Sequence, residues 1–237
     1  RGLARFRPGA VRDVYVREDA WVTHADIVEA AQRATRWVHP VTAEVSVALS
    51  RDSQGVCAVA SADAVSRELP EPSVGETLVV LAQGRDPGNV GTIIRTADAF
   101  GAVGVITVSG TVEATSPKVV RASAGSVFHI PVCIVPSFEE AHALIHRRSA
   151  ALLGTSGGAG SLDLSQMLAQ GVSGRSRLSQ SHAWVFGNEA KGLSGAEMRL
   201  CDALVSIPMT GDAESLNVAS AATACLFASQ TVRGMAL

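Results

Sequence analysis

The chain has 237 residues, 47% of them hydrophobic and 18% charged, with a formal net charge of −2. That apolar fraction excludes intrinsic disorder, the length suits one large domain or two smaller ones, and no apolar run approaches the ~20 residues of a membrane-spanning helix. The four cysteines, Cys57, Cys133, Cys201 and Cys225, contain no C-x-x-C pair, so they read as core residues of a reducing-compartment protein, not as a disulfide framework or zinc site. Divided at Thr77, the first part carries 9 Lys+Arg against 11 Asp+Glu and the rest 11 against 11. Neither part is the polybasic module expected of a free-standing nucleic-acid binder, so any such contact must come from local patches. The chain begins at Arg1 without a Met, and its first domain is expected to be truncated at its start.

The segment V-R-D-V-Y-V, Val11–Val16, reads as a strand. Thr23 with Asp26 resembles a capping box opening a helix, in which Ile27, Ala30, Ala31, Ala34 and Val38 keep helical spacing until His39-Pro40. Val56–Ala60 is strand-like. Arg67 to Gly75, with Pro70 and Pro72, reads as a linker. Beyond it the alternation is cleaner. Leu78–Ala82 is a strand, Val90–Phe100 a helix, Val103–Val108 a second strand, and Ser116-Pro117 a cap with proline at the first helical position. Val132–Val135 is the third strand, and Ser137 with Glu140 caps the next helix. Ala150–Leu153 is the fourth strand, followed by a Gly/Ser/Gln loop to about Ser181. Ala183–Phe186 is the fifth strand, Ser194 with Glu197 opens another capped helix, and Ala203–Ile207 is the last strand. Ser215 then caps the longest helix, Ser215–Val232. This pattern predicts an α/β fold with a mostly parallel sheet and helices on both faces, whose ligands sit beyond the carboxyl ends of the strands.

Three of the loops at that edge carry unusual residues. The first, D-P-G-N-V-G-T-I-I-R from Asp86 to Arg95, combines glycines that permit close backbone approach with Asn89 and the permanently charged fork of Arg95. It lacks the Walker lysine and the G-x-G-x-x-G spacing, and taken alone it is equally a Gly-rich turn with a surface arginine. The second, F-G-N-E-A-K-G-L-S from Phe186 to Ser194, sets Asn188 and Glu189 at a strand end. It is equally a polar turn before a helix cap. The third, I-P-M-T-G-D-A-E-S-L-N-V-A-S-A-A from Ile207 to Ala222, brackets a proline bend with Ile207 and Met209, and Asn217 and Ser220 interrupt a small apolar helix where buried polar groups would need partners. The alternative is an ordinary capped core helix.

In this order and spacing the three strings resemble the three motifs of the SpoU/TrmH family of RNA ribose 2′-O-methyltransferases, within the SPOUT superfamily. The resemblance runs from about Leu78 to the C-terminus and includes R-A-S-A-G-S-V-F-H-I-P-V, Arg121 to Val132. The string D-S-Q-G-V-C-A-V, Asp52 to Val59, resembles the end of the small ribosomal-protein-like domain that often precedes the catalytic domain. The resemblance implies residues 1–66 as an RNA substrate-binding domain, 67–76 as linker and 77–237 as a trefoil-knot methyltransferase domain, working as a homodimer in the cytoplasm. It implies S-adenosylmethionine as the cofactor, held by Thr155, Gly187, Ile207, Met209, Leu216 and Ala219, with no metal and no membrane. Asn89, Arg95, Glu189, Ser215 and Asn217 match the family's catalytic positions. Arg85, Lys118 and Arg121 would join Arg95 in a phosphate patch. The implied substrate is structured RNA, large-subunit (23S) ribosomal RNA ahead of tRNA, with a catalytically silent RNA-binding relative as the rival. The family accounts make the motif-one arginine a base, but a guanidinium with pKa above ~12 is a poor one, so Arg95 reads as a positioning residue, with proton abstraction as the competing hypothesis.

Two other patterns are set aside. Gly154-Thr155-Ser156-Gly157-Gly158 spells G-x-S-x-G, but no helix follows at once and His182 is the sole downstream histidine. His142 and His146 have metal-ligand spacing without a third ligand.

Overall fold

The computed structural model describes all residues except 1, 2, 4, 6, 159, 172–174, 236 and 237. It divides into two units, Arg1–Val65 and Ser66–Leu237. Among the described residues no helix is long and apolar enough to cross a membrane.

The smaller unit holds β1 (Val11–Arg17), α1 (Ala20–Thr23), α2 (Ala25–Ala34), β2 (Val38–Val41), α3 (Ala43–Leu49) and β3 (Val56–Ala60). Its sheet has the order β2-β1-β3, with β2 parallel and β3 antiparallel to β1. Val14, Val16, Ala20, Val28 and Ala31 pack into its core. Thr23 does not open the helix as its spacing suggested. The break falls at His24, which caps α2 without a side-chain bond, and Thr23 Oγ1 donates back to the Asp19 carbonyl at 3.1 Å. Val38 leaves the helix too, pairing with Val14 in the sheet. The histidine before Pro40 favours extended backbone, and Val38 fills the apolar face that a helix would have left open. The alternation of Val45, Val47 and Leu49 is that of a strand, yet the segment forms α3. The Thr42 hydroxyl nonetheless caps it, accepting the Val45 N–H at 3.4 Å.

The larger unit is built on β4 (Thr77–Leu81), α4 (Pro87–Ala99), β5 (Gly104–Val108), α5 (Pro117–Ala122), β6 (Val132–Val135), α6 (Phe138–Arg147), β7 (Ala151–Thr155), β8 (Leu162–Asp163), α7 (Leu164–Gly171), β9 (His182–Phe186), α8 (Gly195–Leu200), β10 (Ala203–Ser206) and α9 (Val218–Met235). All seven strands run parallel, in the order β6-β5-β4-β9-β7-β10-β8. The central strands are buried throughout, as unbroken apolar runs in parallel sheets are. On one face Leu78, Val80, Ile106, Leu152 and Val185 pack with Phe138, Ala141 and Ile145 of α6. Each of these side chains apart from Ala141 contributes roughly 1.5–3 kcal/mol by leaving water. Ser116, Ser137 and Ser194 cap α5, α6 and α8 as their spacing predicts, the last in a full capping box with Glu197.

Two segments differ from the sequence reading. The stretch read as a loop after β7 contains β8, α7 and a short 3-10 turn, Arg177–Ser179; residues 159 and 172–174 of it lie outside the described set. Leu164 and Met167 bury one side of α7, and Gly171 abuts Val232 so closely that a Cβ there would stand 2.5 Å from Val232 Cγ2. Secondly, α9 starts at Val218, not Ser215, and Asn217 performs the capping, its Oδ1 accepting the Ala219 N–H at 2.8 Å. Ser215, Asn217 and Ser220 are all exposed, so the buried polar groups expected there do not exist. Of the cysteines, Cys225 is buried and the other three are partly buried, all of them free thiols.

Two buried polar clusters brace this unit. Glu76 and Arg148 form a bidentate pair at 2.7 and 2.8 Å, and Arg148 Nη1 also donates to the Pro70 carbonyl at 2.8 Å. Residues Arg67–Gly75 have no helix or strand of their own, yet that pair and Leu69, packed over Gly104, hold them to the sheet. Breaking such a pair from one side costs about 3–5 kcal/mol. The second cluster ties β9 to α9. His182 Nδ1 lies 2.7 Å from the Gln180 carbonyl, which only accepts, so Nδ1 carries the proton. The neutral Nε2 then accepts from the Ser229 hydroxyl at 2.7 Å, and Trp184 Nε1 donates to the same oxygen at 2.8 Å.

Burial pushes the His182 pKa down from 6.5 to about 4. Between those values the unfolded chain binds the proton and the folded chain does not. Stability is therefore whole above pH 6.5 and is expected to fall by about 3 kcal/mol as pH drops towards 4. Urea melts of wild type and His182→Gln across this range check it. The variant should lose most of the slope, and an equal slope in both proteins would contradict the assignment.

Candidate active site

Because β9 lies between β4 and β7, with β10 beyond β7, the loops leaving their carboxyl ends emerge side by side. The loop after β4 enters α4 through Asp86, whose Oδ1 caps the helix by accepting the Asn89 N–H at 2.8 Å, followed by Pro87 in the first turn. The loop after β9 is a tight closure. Asn188 and Gly192 exchange backbone hydrogen bonds at 3.0 and 2.8 Å, and Asn188 Oδ1 accepts the Ala190 and Lys191 N–H groups at 2.9 and 3.2 Å. Gly187 is obligatory there, since a Cβ would stand 2.3 Å from the Gly192 carbonyl carbon. Gly192 itself takes φ +67°, a conformation that glycine adopts without strain.

Two contacts join these loops to the segment before α9. Glu189 Oε1 accepts the Arg85 and Asp86 N–H groups at 3.4 and 3.2 Å, and Asn217 Nδ2 donates to Asn89 Oδ1 at 3.0 Å. Arg85, Asp86, Asn89, Glu189 and Asn217 thereby line an open recess of about 590 Å³. Residues from all three sequence motifs meet in it. The carboxylate of Glu189 binds backbone, so its shown work is to hold the β4 loop against the β9 loop.

A second cavity, of about 430 Å³, shares the Glu189 wall. Thr155, Gly187, Ile207, Met209 and Leu216 line it, as does Ser215. Ala219 does not. It is buried in α9, and Val218 and Ala221 face the cavity in its place. Sequence reasoning missed Leu193, Met198 and Val205, whose apolar character was visible but whose convergence depends on the sheet order. The cavity falls in the size range of small-ligand sites. It pairs an apolar lining and glycine backbone, suited to a flat ring, with the charges of Lys191 and Glu214, suited to an amino-acid end. On that lining the residues fit S-adenosylmethionine.

Arg95, Lys118 and Arg121 line neither cavity; all three are exposed, Arg95 on α4 and the others on α5. Arg95 follows Asn89 by six residues, which turns it about a third of a turn off that residue's face. Arg85 alone of the four basic positions reaches the recess. Ser156 of the G-x-S-x-G string accepts the Gly158 N–H at 3.3 Å and lies 3.9 Å from Met198 Sδ, with no histidine on it. The His142 and His146 rings lie 4.3 Å apart, and among the described residues no three potential metal ligands converge. Burial and the neighbouring Asp202 and Glu197 push the Cys201 thiol up to about 12, so it is no nucleophile.

The loop junction makes a testable claim. In Glu189→Ala, amide exchange at Arg85 and Asp86 should accelerate about tenfold, the loss of roughly 1.4 kcal/mol of protection. Glu189→Gln keeps the acceptor oxygen and should exchange near the wild-type rate. Equal exchange in all three proteins would contradict the junction.

Comparison with known proteins agrees with this geometry. The model of the SpoU rRNA Methylase family matches residues 76–227. The 23S rRNA (guanosine-2′-O-)-methyltransferase RlmB of Bordetella pertussis is 34% identical over 96% of this chain and 92% of its own length. The 23S rRNA (uridine(2479)-2′-O)-methyltransferase of Streptomyces viridochromogenes is 42% identical over 60% of this chain and 47% of its own. Among solved structures, the AdoMet-bound rRNA methyltransferase of Sinorhizobium meliloti superposes with a TM-score of 0.74 at 29% identity, covering 96% of this chain and 83% of that one. The seven-stranded parallel sheet, the three meeting motifs and the family match together place this chain in the SpoU rRNA methylase family.

Proposed function

We propose that this chain transfers a methyl group from S-adenosylmethionine to a ribose 2′-hydroxyl of 23S ribosomal RNA. The observation that carries the reading is the meeting of Asn89, Glu189 and Asn217 beside an adjoining cavity with both apolar and charged walls, in a member of a family of rRNA methylases. Relatives whose names specify 23S rRNA and the 2′-oxygen support the substrate, and the AdoMet-bound neighbour supports the cofactor. The named relatives differ in the base, guanosine in one and uridine in the other, so the reading assigns the ribose and leaves the base to RNA docking.

The cofactor supplies a methyl already activated on a sulfonium, so the protein's task is alignment, with the hydroxyl proton passing to water in the open recess as the methyl leaves the sulfonium for the oxygen. Thr155, Gly187, Ile207, Met209 and Leu216 would hold it, with Lys191 and Glu214 at its charged end. Asn89 and Asn217, already bonded to each other, would orient the ribose hydroxyl, and Arg85 would hold a neighbouring phosphate at the recess. Ser215 would contact the cofactor end of the ribose.

The reading includes a homodimer, a trefoil knot at the C-terminal segment and work in the cytoplasm, where ribosomal RNA is assembled. For the knot the support is the return of β9 to the sheet centre between β4 and β7, with α9 packed back onto α4. For the dimer it is α9's outer stripe of Ser220, Thr223, Phe227 and Gln230, all exposed, with Phe227 at 53% and its ring 6.0 Å from that of Phe100. Arg95 stands on the neighbouring α4 and lines neither cavity of its own chain, so in this reading it serves the partner's site, with Lys118 and Arg121 extending the phosphate patch.

Three measurements test this. Calorimetry should show one S-adenosylmethionine per chain, and labelled cofactor should pass its methyl to 23S rRNA in preference to tRNA. Absence of both would refute the assignment. Mixing inactive Arg95→Ala and Asn217→Ala subunits should then restore about a quarter of wild-type activity, because half the dimers carry one intact site. No recovery on mixing would place Arg95 in its own subunit's site.

A further inference from the structure

Strand pairing gathers three rings of the smaller unit on one face of its sheet. Tyr15 is the parallel partner of His39, and Trp37 stands two residues before His39, so the pleat directs all three to the same side. Their rings form a ladder, Tyr15 to His39 at 5.1 Å with 25° between planes, and His39 to Trp37 at 6.4 Å with 15°. Asp13 Oδ1 bonds His39 Nε2 at 2.9 Å and fixes the middle ring. The core lies on the other face, through Val14 and Val16, so the ladder is not core packing. Its end ring is exposed, Trp37 at 52%, with the Arg36 guanidinium over its face, 4.8 Å from carbon to ring centroid; an incoming base would displace that guanidinium and leave it beside the base for a phosphate.

We propose that this ladder is a stacking platform for an unpaired base of the RNA substrate, with Trp37 taking the base and Arg36 its phosphate. The inference rests on the RNA methyltransferase reading. Every base has a π-face that stacks on an aromatic ring, and an arginine beside that ring offers charge to the backbone. The surroundings favour RNA over a folded protein partner. Such a partner would need a dry apolar centre around the tryptophan, whereas this ladder carries the charged side chains of Arg36 over Trp37 and Asp13 on His39. The platform would select RNA that offers an unpaired base, a selection that the three motifs at the sheet edge do not encode.

The test uses the full chain with two probes, octa-adenylate and deproteinised 23S rRNA, followed by fluorescence anisotropy of labelled RNA. Trp37→Ala should weaken binding of both about tenfold, and Trp37→Phe, which keeps a ring, should stay within about threefold of wild type. Affinity for S-adenosylmethionine and the thermal midpoint should not change, which separates a binding loss from a folding loss. Stacking should also quench tryptophan emission when octa-adenylate is added, and Trp37→Phe should abolish that quench. If wild type binds and methylates 23S rRNA and Trp37→Ala does so equally, the platform is wrong and the methyltransferase reading stands. If wild type binds neither RNA, both fall.

Discussion

The candidate active edge depends on one close approach. Gly187 lies so near the Gly192 carbonyl that no side chain fits between them, and this contact folds the segment after β9 into a closed loop. Closure turns Glu189 towards the β4 loop, where it accepts two backbone N–H groups, and leaves the space that Thr155, Ile207 and Leu216 enclose. A bulkier residue at 187 would push the loop outward and separate both halves of the site. At this edge Asp86, Asn188 and Glu189 each accept backbone N–H groups, and Asn217 donates to Asn89.

The sheet order gives that loop its place. A strand inserted between β4 and β7 delivers its carboxyl end to the middle of the edge, and α9, whose start holds Asn217, must return to the same region. The buried His182–Ser229–Trp184 cluster fastens α9 to β9 at the far end of that strand. One helix is thus fixed at two places, by a buried network in its last turns and by an amide pair just before its first. Loosening either would let the Asn217 end drift from Asn89, so a core cluster without chemistry of its own bears on the geometry of the edge.

Much of the fold was legible because parallel core strands are unbroken apolar runs and the serine caps of α5, α6 and α8 are local signals. The failures have local causes too. Ser215 has the residue type of a helix cap, so the sequence sets the start of α9 three residues early, and no local signal marks α7, whose packing, Gly171 against Val232, joins distant segments. The loops of the site were recognisable, but their meeting was not derivable from spacing. The Asn217–Asn89 bond spans 128 residues and the Glu189–Arg85 contact 104. Their convergence was available only through resemblance to a family, and the same resemblance made Ala219 a lining residue although its side chain turns into the core. The aromatic ladder had no signal at all, because Tyr15 and His39 become neighbours only through the pairing of two strands.

The central claim is that the recess and cavity act together on a ribose oxygen, not on a base. Alkaline digestion of 23S rRNA methylated with labelled cofactor tests that most directly, because a 2′-O-methyl group removes the nucleophile that alkali needs to cleave the next phosphodiester. The account predicts label in an alkali-resistant dinucleotide at one position, abolished in Asn89→Ala. Label recovered in mononucleotides would contradict it.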